Sequence, residues 1–152
     1  MNTSSDTEKE VSMTTSNVSS IDITNEVSSI NMTQSEQSEA EKTADIKAFY
    51  ESKCKISMDS AIEYAKEAID SAKIAIEATN YYKAADASRN VADYCGFVEE
   101  EAKDAAKHYA MAKTSTAADY LAITLDAVDK AKNAAVQARY KAIELYEITF
   151  PN

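Results

Sequence analysis

Glycine and proline are almost missing from this chain, which holds one of each, Gly96 and Pro151. Sheets and barrels need tight turns, and tight turns draw on those residues and on Asn-Gly pairs. Their scarcity favours long helices with few connections. Tryptophan is absent and histidine occurs once, at His108. A single histidine excludes the paired Glu-x-x-His sets of di-iron bundles, and a single glycine excludes a Gly-rich phosphate loop. The two cysteines, Cys54 and Cys95, form no Cys-x-x-Cys unit and fall on apolar seams, where a free thiol acts as a small hydrophobe. A cysteine nucleophile would need a histidine in reach, and no spacing here supplies it. Glu99-Glu100-Glu101 fan out around a helix and do not converge on one ion, while Asp104 and His108 make an ordinary pair one turn apart. The sequence therefore reads as non-enzymatic, with no cofactor and no metal site.

Excess positive charge is also lacking. The net charge is −10, with −5 in residues 1–38 and −5 in residues 39–152, where twenty acids and fifteen bases are interspersed. That pattern excludes a basic footprint for nucleic acid. No apolar run approaches the ~20 residues needed to span a bilayer. The N-terminus has neither the basic start nor the apolar stretch of a secretory signal. The expectation is a soluble, cytoplasmic protein, with export without a cleaved signal as the alternative.

Residues 1–38 differ in kind from the rest. Sixteen of them are Ser or Thr and four are Asn, so the segment holds too little apolar surface to offset ~1–2 kcal/mol of backbone ordering per residue. A disordered tail is expected there, in which Ile23, Val27 and Ile30 alone share the spacing of a short helical face. Order is expected from Ser38, where Ser38 and Glu41 have capping-box spacing.

Three amphipathic stretches follow. In the first, Met58, Ala61, Ala65, Ala68, Ala72, Ala75 and Thr79 form one line, with Ile62, Ile69 and Ile76 beside it. The second carries Tyr81, Ala84, Ser88, Val91, Cys95, Val98, Ala102, Ala105, Tyr109 and Ala112. The third carries Ala117, Leu121, Thr124, Val128, Ala131, Ala135, Ala138, Ala142 and Leu145. Alternating spacings of three and four place each set on one helical face. Breaks are expected at Thr79-Asn80-Tyr81 and at Thr114-Ser115-Thr116, where Thr116 and Asp119 have capping-box spacing. The expected helices cover about 39–79, 82–113 and 116–148. The segment before Cys54 fits the first seam poorly, because the heptad puts Lys47 and Glu51 on it, so a kink is expected near 55–57. The fold class is all-α: an elongated antiparallel three-helix bundle with Ala-rich, coiled-coil-like seams. With its first turn near Asn80, residue i should lie beside roughly 160 − i on the second helix, which leaves Cys54 and Cys95 too far apart for a disulfide.

A second apolar stripe lies off the seam of the last helix, at Val136, Tyr140, Ile143 and Phe150; Phe97 and Met111 also point outward from the second. Surplus apolar residues of this kind mark a contact with a partner or a second copy, unless segment 39–55 folds over them with Ile46, Phe49 and Tyr50. The sequence thus points to a helical interaction module, an adaptor, structural or exported effector-like protein that binds a protein through its last helix. The alternative is a coat or stabilising protein whose helices lie on a hydrophobic granule or lipid surface. The tail makes the first prediction. Low concentrations of protease should remove residues 1–38 and spare 39–152, with the melting midpoint of the remainder barely changed. A loss of several degrees on truncation would show that the tail packs on the helices.

Overall fold

The computed structural model describes residues 33–152, in which three helices and no strand are found: α1 (Gln34–Glu77), α2 (Tyr81–Ala112) and α3 (Ser115–Thr149). The expectations for residues 1–32, Ile23, Val27 and Ile30 included, lie outside the described residues. The chain divides into two compact units after Thr43. In the first, α1 is capped five residues before the expected Ser38 cap, at Thr33. The Thr33 hydroxyl oxygen accepts from the Glu36 N–H at 3.1 Å, and Glu36 Oε1 accepts from the Thr33 N–H at 3.3 Å. Thr33-x-x-Glu36 is a capping box in its own right, and the Gln and Glu residues that follow are good helix formers.

Residues 44–152 form an antiparallel three-helix bundle. The Cys54 thiol donates to the Ala105 carbonyl, and the rings of Tyr50 and His108 and of Tyr64 and Phe97 meet across α1 and α2. These pairs follow the 160 − i rule to within a residue or two. Across α2 and α3, Cys95 donates to the Ala131 carbonyl and Tyr81 packs on Tyr146, so this pair follows roughly 227 − i. Up-down-up connection leaves α1 and α3 parallel, and Ile62, Ala65 and Ile69 accordingly share a groove with Ile123, Asp126 and Ala127. Both cysteines are free, as the register requires.

The main core contains Ala61, Ala65, Ala68, Ala72, Ala75, Ala87, Ala127, Ala131, Ala134 and Ala138, with only Val91 and Val98 larger. Alanine at the seam lets helix axes approach toward the short end of the ~8–10 Å range. Tyr64, Ile69, Tyr94, Cys95 and Val128 close in from the flanks, half-buried. Smaller clusters cap the ends: Cys54, Ala112 and Ala117 under Tyr50, Tyr109 and Tyr120 at one, and Ala78, Ala84 and Ala142 with Leu145 at the other.

Several details differ from the sequence pattern. α1 is helical without interruption through 55–57, and its seam keeps one register from Cys54 through Met58 and Ala61. Glu51 does fall near that seam, where its carboxylate accepts from the Thr114 hydroxyl at 2.6 Å; a polar partner, not a kink, resolves the misfit. Ser88, Val128 and Ala135 are half-buried while Ala87, Ala127 and Ala134 are buried, because each helix faces two neighbours and its buried stripe is wider than one heptad line.

The turns are built from caps. Asn80 Oδ1 accepts from the Lys83 N–H at 3.0 Å and opens α2. Lys113 closes it in the left-handed conformation, with φ of 53° and its N–H on the Tyr109 carbonyl. Thr114, not Thr116, caps α3, its hydroxyl accepting from the Ala117 N–H at 3.1 Å. Thr114 can do this and donate to Glu51 at once, an option closed to Thr116. Pro151 follows the end of α3 by two residues.

Gly96 stands inside α2 with a negative φ, and a Cβ built there meets nothing within 4 Å. Gly96→Ala should therefore stabilise the protein by about 0.5–1 kcal/mol, the intrinsic helix difference between the two residues. Thermal or denaturant unfolding measures it, and a destabilised variant would show that the groove beside Gly96 is filled in solution.

Candidate interaction surface

α3 and α2 are locked side by side by small residues, so their larger side chains must splay outward over the groove between them. Tyr81, Ala85, Ser88 and Arg89 from α2 face Arg139, Ala142, Ile143 and Tyr146 from α3 across an open groove of ≈ 370 Å³. Its alanine and serine floor reflects the seam itself: Ala142 is buried and Ala85 and Ser88 are half-buried. One end is closed by four rings. Tyr81 meets Tyr146 at 5.3 Å and Phe150 at 5.8 Å edge to face, Tyr82 meets Phe150 at 6.4 Å, and Tyr146 lies 5.0 Å from Phe150. Such edge-to-face pairs each contribute about 0.5–1.5 kcal/mol beyond area burial. They hold the end of α3 against the start of α2 while leaving Phe150 44% exposed.

Of the residues singled out in the sequence, Ile143 and Phe150 come together here. Val136 lies on the same outer side of α3, two turns before Ile143, and is 39% exposed. Tyr140, 70% exposed, leans to the other side of α3, over a shallow groove with Ile76, Gln137, Lys141 and Glu144. Phe97 belongs to the opposite face of α2, packed on Tyr64 and Tyr94 at 5.2 and 6.1 Å. Met111 sits at the far end of the bundle, ~50 Å from Phe150 by the 1.5 Å rise per residue. The six residues therefore fall in four places and not on one surface: Val136 with Ile143 and Phe150, and Tyr140, Phe97 and Met111 each apart. Ile46 and Phe49 are themselves more than half exposed, so segment 44–55 does not cover the α3 stripe.

Sequence pattern missed Arg89, Arg139 and Tyr82 as parts of this surface. The signal was present in the α2–α3 turn: a hairpin centred between Lys113 and Thr114 puts residue 89 opposite residue 138, so the two arginines stand at the same level and line one groove.

A second cluster lies between α1 and α2. Ser57 is buried against Glu101, whose carboxyl is pushed up from the ordinary range by burial first and by Asp104 second, with the Ser57 hydroxyl opposing. His108 stacks on Tyr50 at 6.0 Å, and its Nδ1 is buried without a hydrogen-bond partner. The thiols of Cys54 and Cys95 are both raised, chiefly by burial and then by Glu51 and Glu99 respectively, which keeps them protonated and unreactive. No three His, Cys, Asp or Glu side chains converge as metal ligands among the described residues. No described helix is long and apolar enough to cross a membrane. Comparison with family models, curated proteins and solved structures finds no match to this chain.

The raised carboxyl has a signed consequence. A folded pKa above the unfolded one means that folding favours the protonated acid, so this contribution is present below the unfolded value and lost as pH rises through the folded one. Glu101→Gln, which keeps an oxygen for Ser57, should raise the melting midpoint at pH 7. The difference should close as pH falls below ~4, where the native Glu is protonated as well. A variant less stable at pH 7 would show that the carboxylate is stabilised by its surroundings.

Proposed function

We propose that this protein is a non-enzymatic helical interaction module that binds another protein through the outer face of its last helix. The observation that carries this reading is the inversion of side-chain size across the bundle. Alanines fill the seams, while Val136, Tyr140, Ile143 and Phe150 stand at least 39% exposed on α3. Large apolar groups left in water forgo ~25 cal/mol per Å² of burial, and Val136, Ile143 and Phe150, which share one side of the last helix, mark a contact surface with Tyr140 at its edge. The reading narrows to the C-terminal half of α3, with the start of α2 beside it; Phe97 and Met111 fall on other faces and are left out. The coat alternative asks the alanine faces to open onto a granule or lipid surface. Those faces are buried against one another here, and opening them would undo the helix contacts that the small side chains make close.

Val136→Ser combined with Ile143→Ser tests this. Both positions are well exposed, so unfolding stability should stay within about 0.5 kcal/mol of the parent, as surface changes do. Association, read by sedimentation of the protein alone and by capture of cellular partners on the immobilised full chain, should be lost. If neither stability nor any association changes, the stripe is idle surface and the proposal fails.

A further inference from the structure

The α2–α3 groove has a charge pattern that the rest of the bundle lacks. Of sixteen basic residues in the chain only two are arginine, Arg89 and Arg139, and both line this groove. Arg89 is paired with Asp86, one turn back on its own helix. Arg139 has no acidic partner among the described residues. Elsewhere the surface cations are lysines, some paired along their own helices, as in Lys55–Asp59 and Lys130–Asp126, one paired across helices, Lys132–Glu99, and others unpaired among the described residues. Two guanidiniums facing each other across a strip of Ala85, Ser88, Ala142 and Ile143 are not explained by the fold, since neither is needed to close the seam.

Resting on the reading that the outer side of α3 meets a protein, we infer that the groove receives an acidic amphipathic helix of a partner. Its apolar ridge lies along the small-residue floor and against Ile143, and its carboxylates meet Arg89 and Arg139. The planar guanidinium fork matches a carboxylate through two parallel hydrogen bonds, which a lysine ammonium does not. A floor of alanine and serine lets a third helix approach as closely as α2 and α3 approach each other. The ring cluster of Tyr81, Tyr82, Tyr146 and Phe150 closes one end and supplies the aromatic anchor typical of such sites. The net charge of −10 would, at long range, attract a basic partner. Over the ~8 Å screening length of physiological salt, however, Asp86 offsets Arg89 and the unpaired Arg139 sets the local potential. An acidic preference in this groove therefore runs against the field of the whole chain, and only the groove residues can produce it.

Two fluorescein-labelled helical peptides of about eighteen residues test the inference, built on alanine with leucines at i, i+4, i+7 and i+11. One carries Glu at the flanking positions and the other Lys. Fluorescence anisotropy with the full chain in ~0.15 M salt should show the Glu peptide binding at least about tenfold more tightly than the Lys peptide. Arg89→Gln and Arg139→Gln should each weaken the Glu peptide, and the double variant should erase the preference with an unchanged melting midpoint. Equal affinities, a tighter Lys peptide, or binding of neither would overturn the acidic partner. So would sedimentation of the full chain alone as a dimer that Arg139→Gln disperses, which would make a second copy the occupant. Loss of partner capture in the Val136→Ser, Ile143→Ser protein but not in the arginine variants would keep the α3 face and remove only the acidic helix. Capture unchanged by all four substitutions would remove both.

Discussion

The contact on which everything else depends is alanine against alanine along the helix seams. An alanine side chain loses no rotamer entropy on burial and is the best helix former, so the same residue stabilises each helix and admits its neighbour. Close approach multiplies weak dispersion contacts between backbones, which partly replaces the transfer energy that larger side chains would have supplied. Valine enters the central core only at Val91 and Val98, both on α2. The consequence is geometric: when helices sit this close, larger side chains are excluded from the seam and spread into the grooves and onto the surface. Tyr64, Ile69 and Tyr94 flank the core, and Ile143, Tyr146 and Phe150 stand outside it.

That exclusion links packing to the functional proposal. The groove between α2 and α3 has a floor of small residues because the seam does, and walls of rings and guanidiniums because those groups fit nowhere else. The polar caps work in the same economy of space. Thr114 accepts from the first turn of α3 and donates to Glu51, tying the α2–α3 turn to α1 with one hydroxyl. The chemistry between α1 and α2 is of another kind: Glu101, Ser57 and the Nδ1 of His108 are polar groups held where water is scarce, and burial pushes the Glu101 carboxyl up.

Much of this was legible in the residue pattern. The near-absence of Gly and Pro, the three-four spacing of Ala and the hydroxyl-rich breaks are enough for three helices in up-down-up order, because helix period and turn chemistry are local properties. The turn near Asn80 then fixes the register of α1 on α2 and keeps Cys54 from Cys95. The outward stripe on α3 follows from the same periodicity. Glu51 shows where pattern misleads: an acid on a seam line suggests a break in the helix, unless a hydroxyl on another element is known to meet it.

What the sequence by itself determined is therefore the helices, their order and roughly which face of each turns inward. Only the tertiary structure decided which neighbour each outward residue joins. Heptad spacing gives one angle around one helix, whereas a surface patch depends on two helices and their mutual register. Val136, Ile143 and Phe150 share a side of α3, but Tyr140 falls across it and Phe97 belongs with Tyr64 on another face. Arg89 and Arg139, fifty residues apart in the chain, become one feature only when the α2–α3 turn brings them to the same groove.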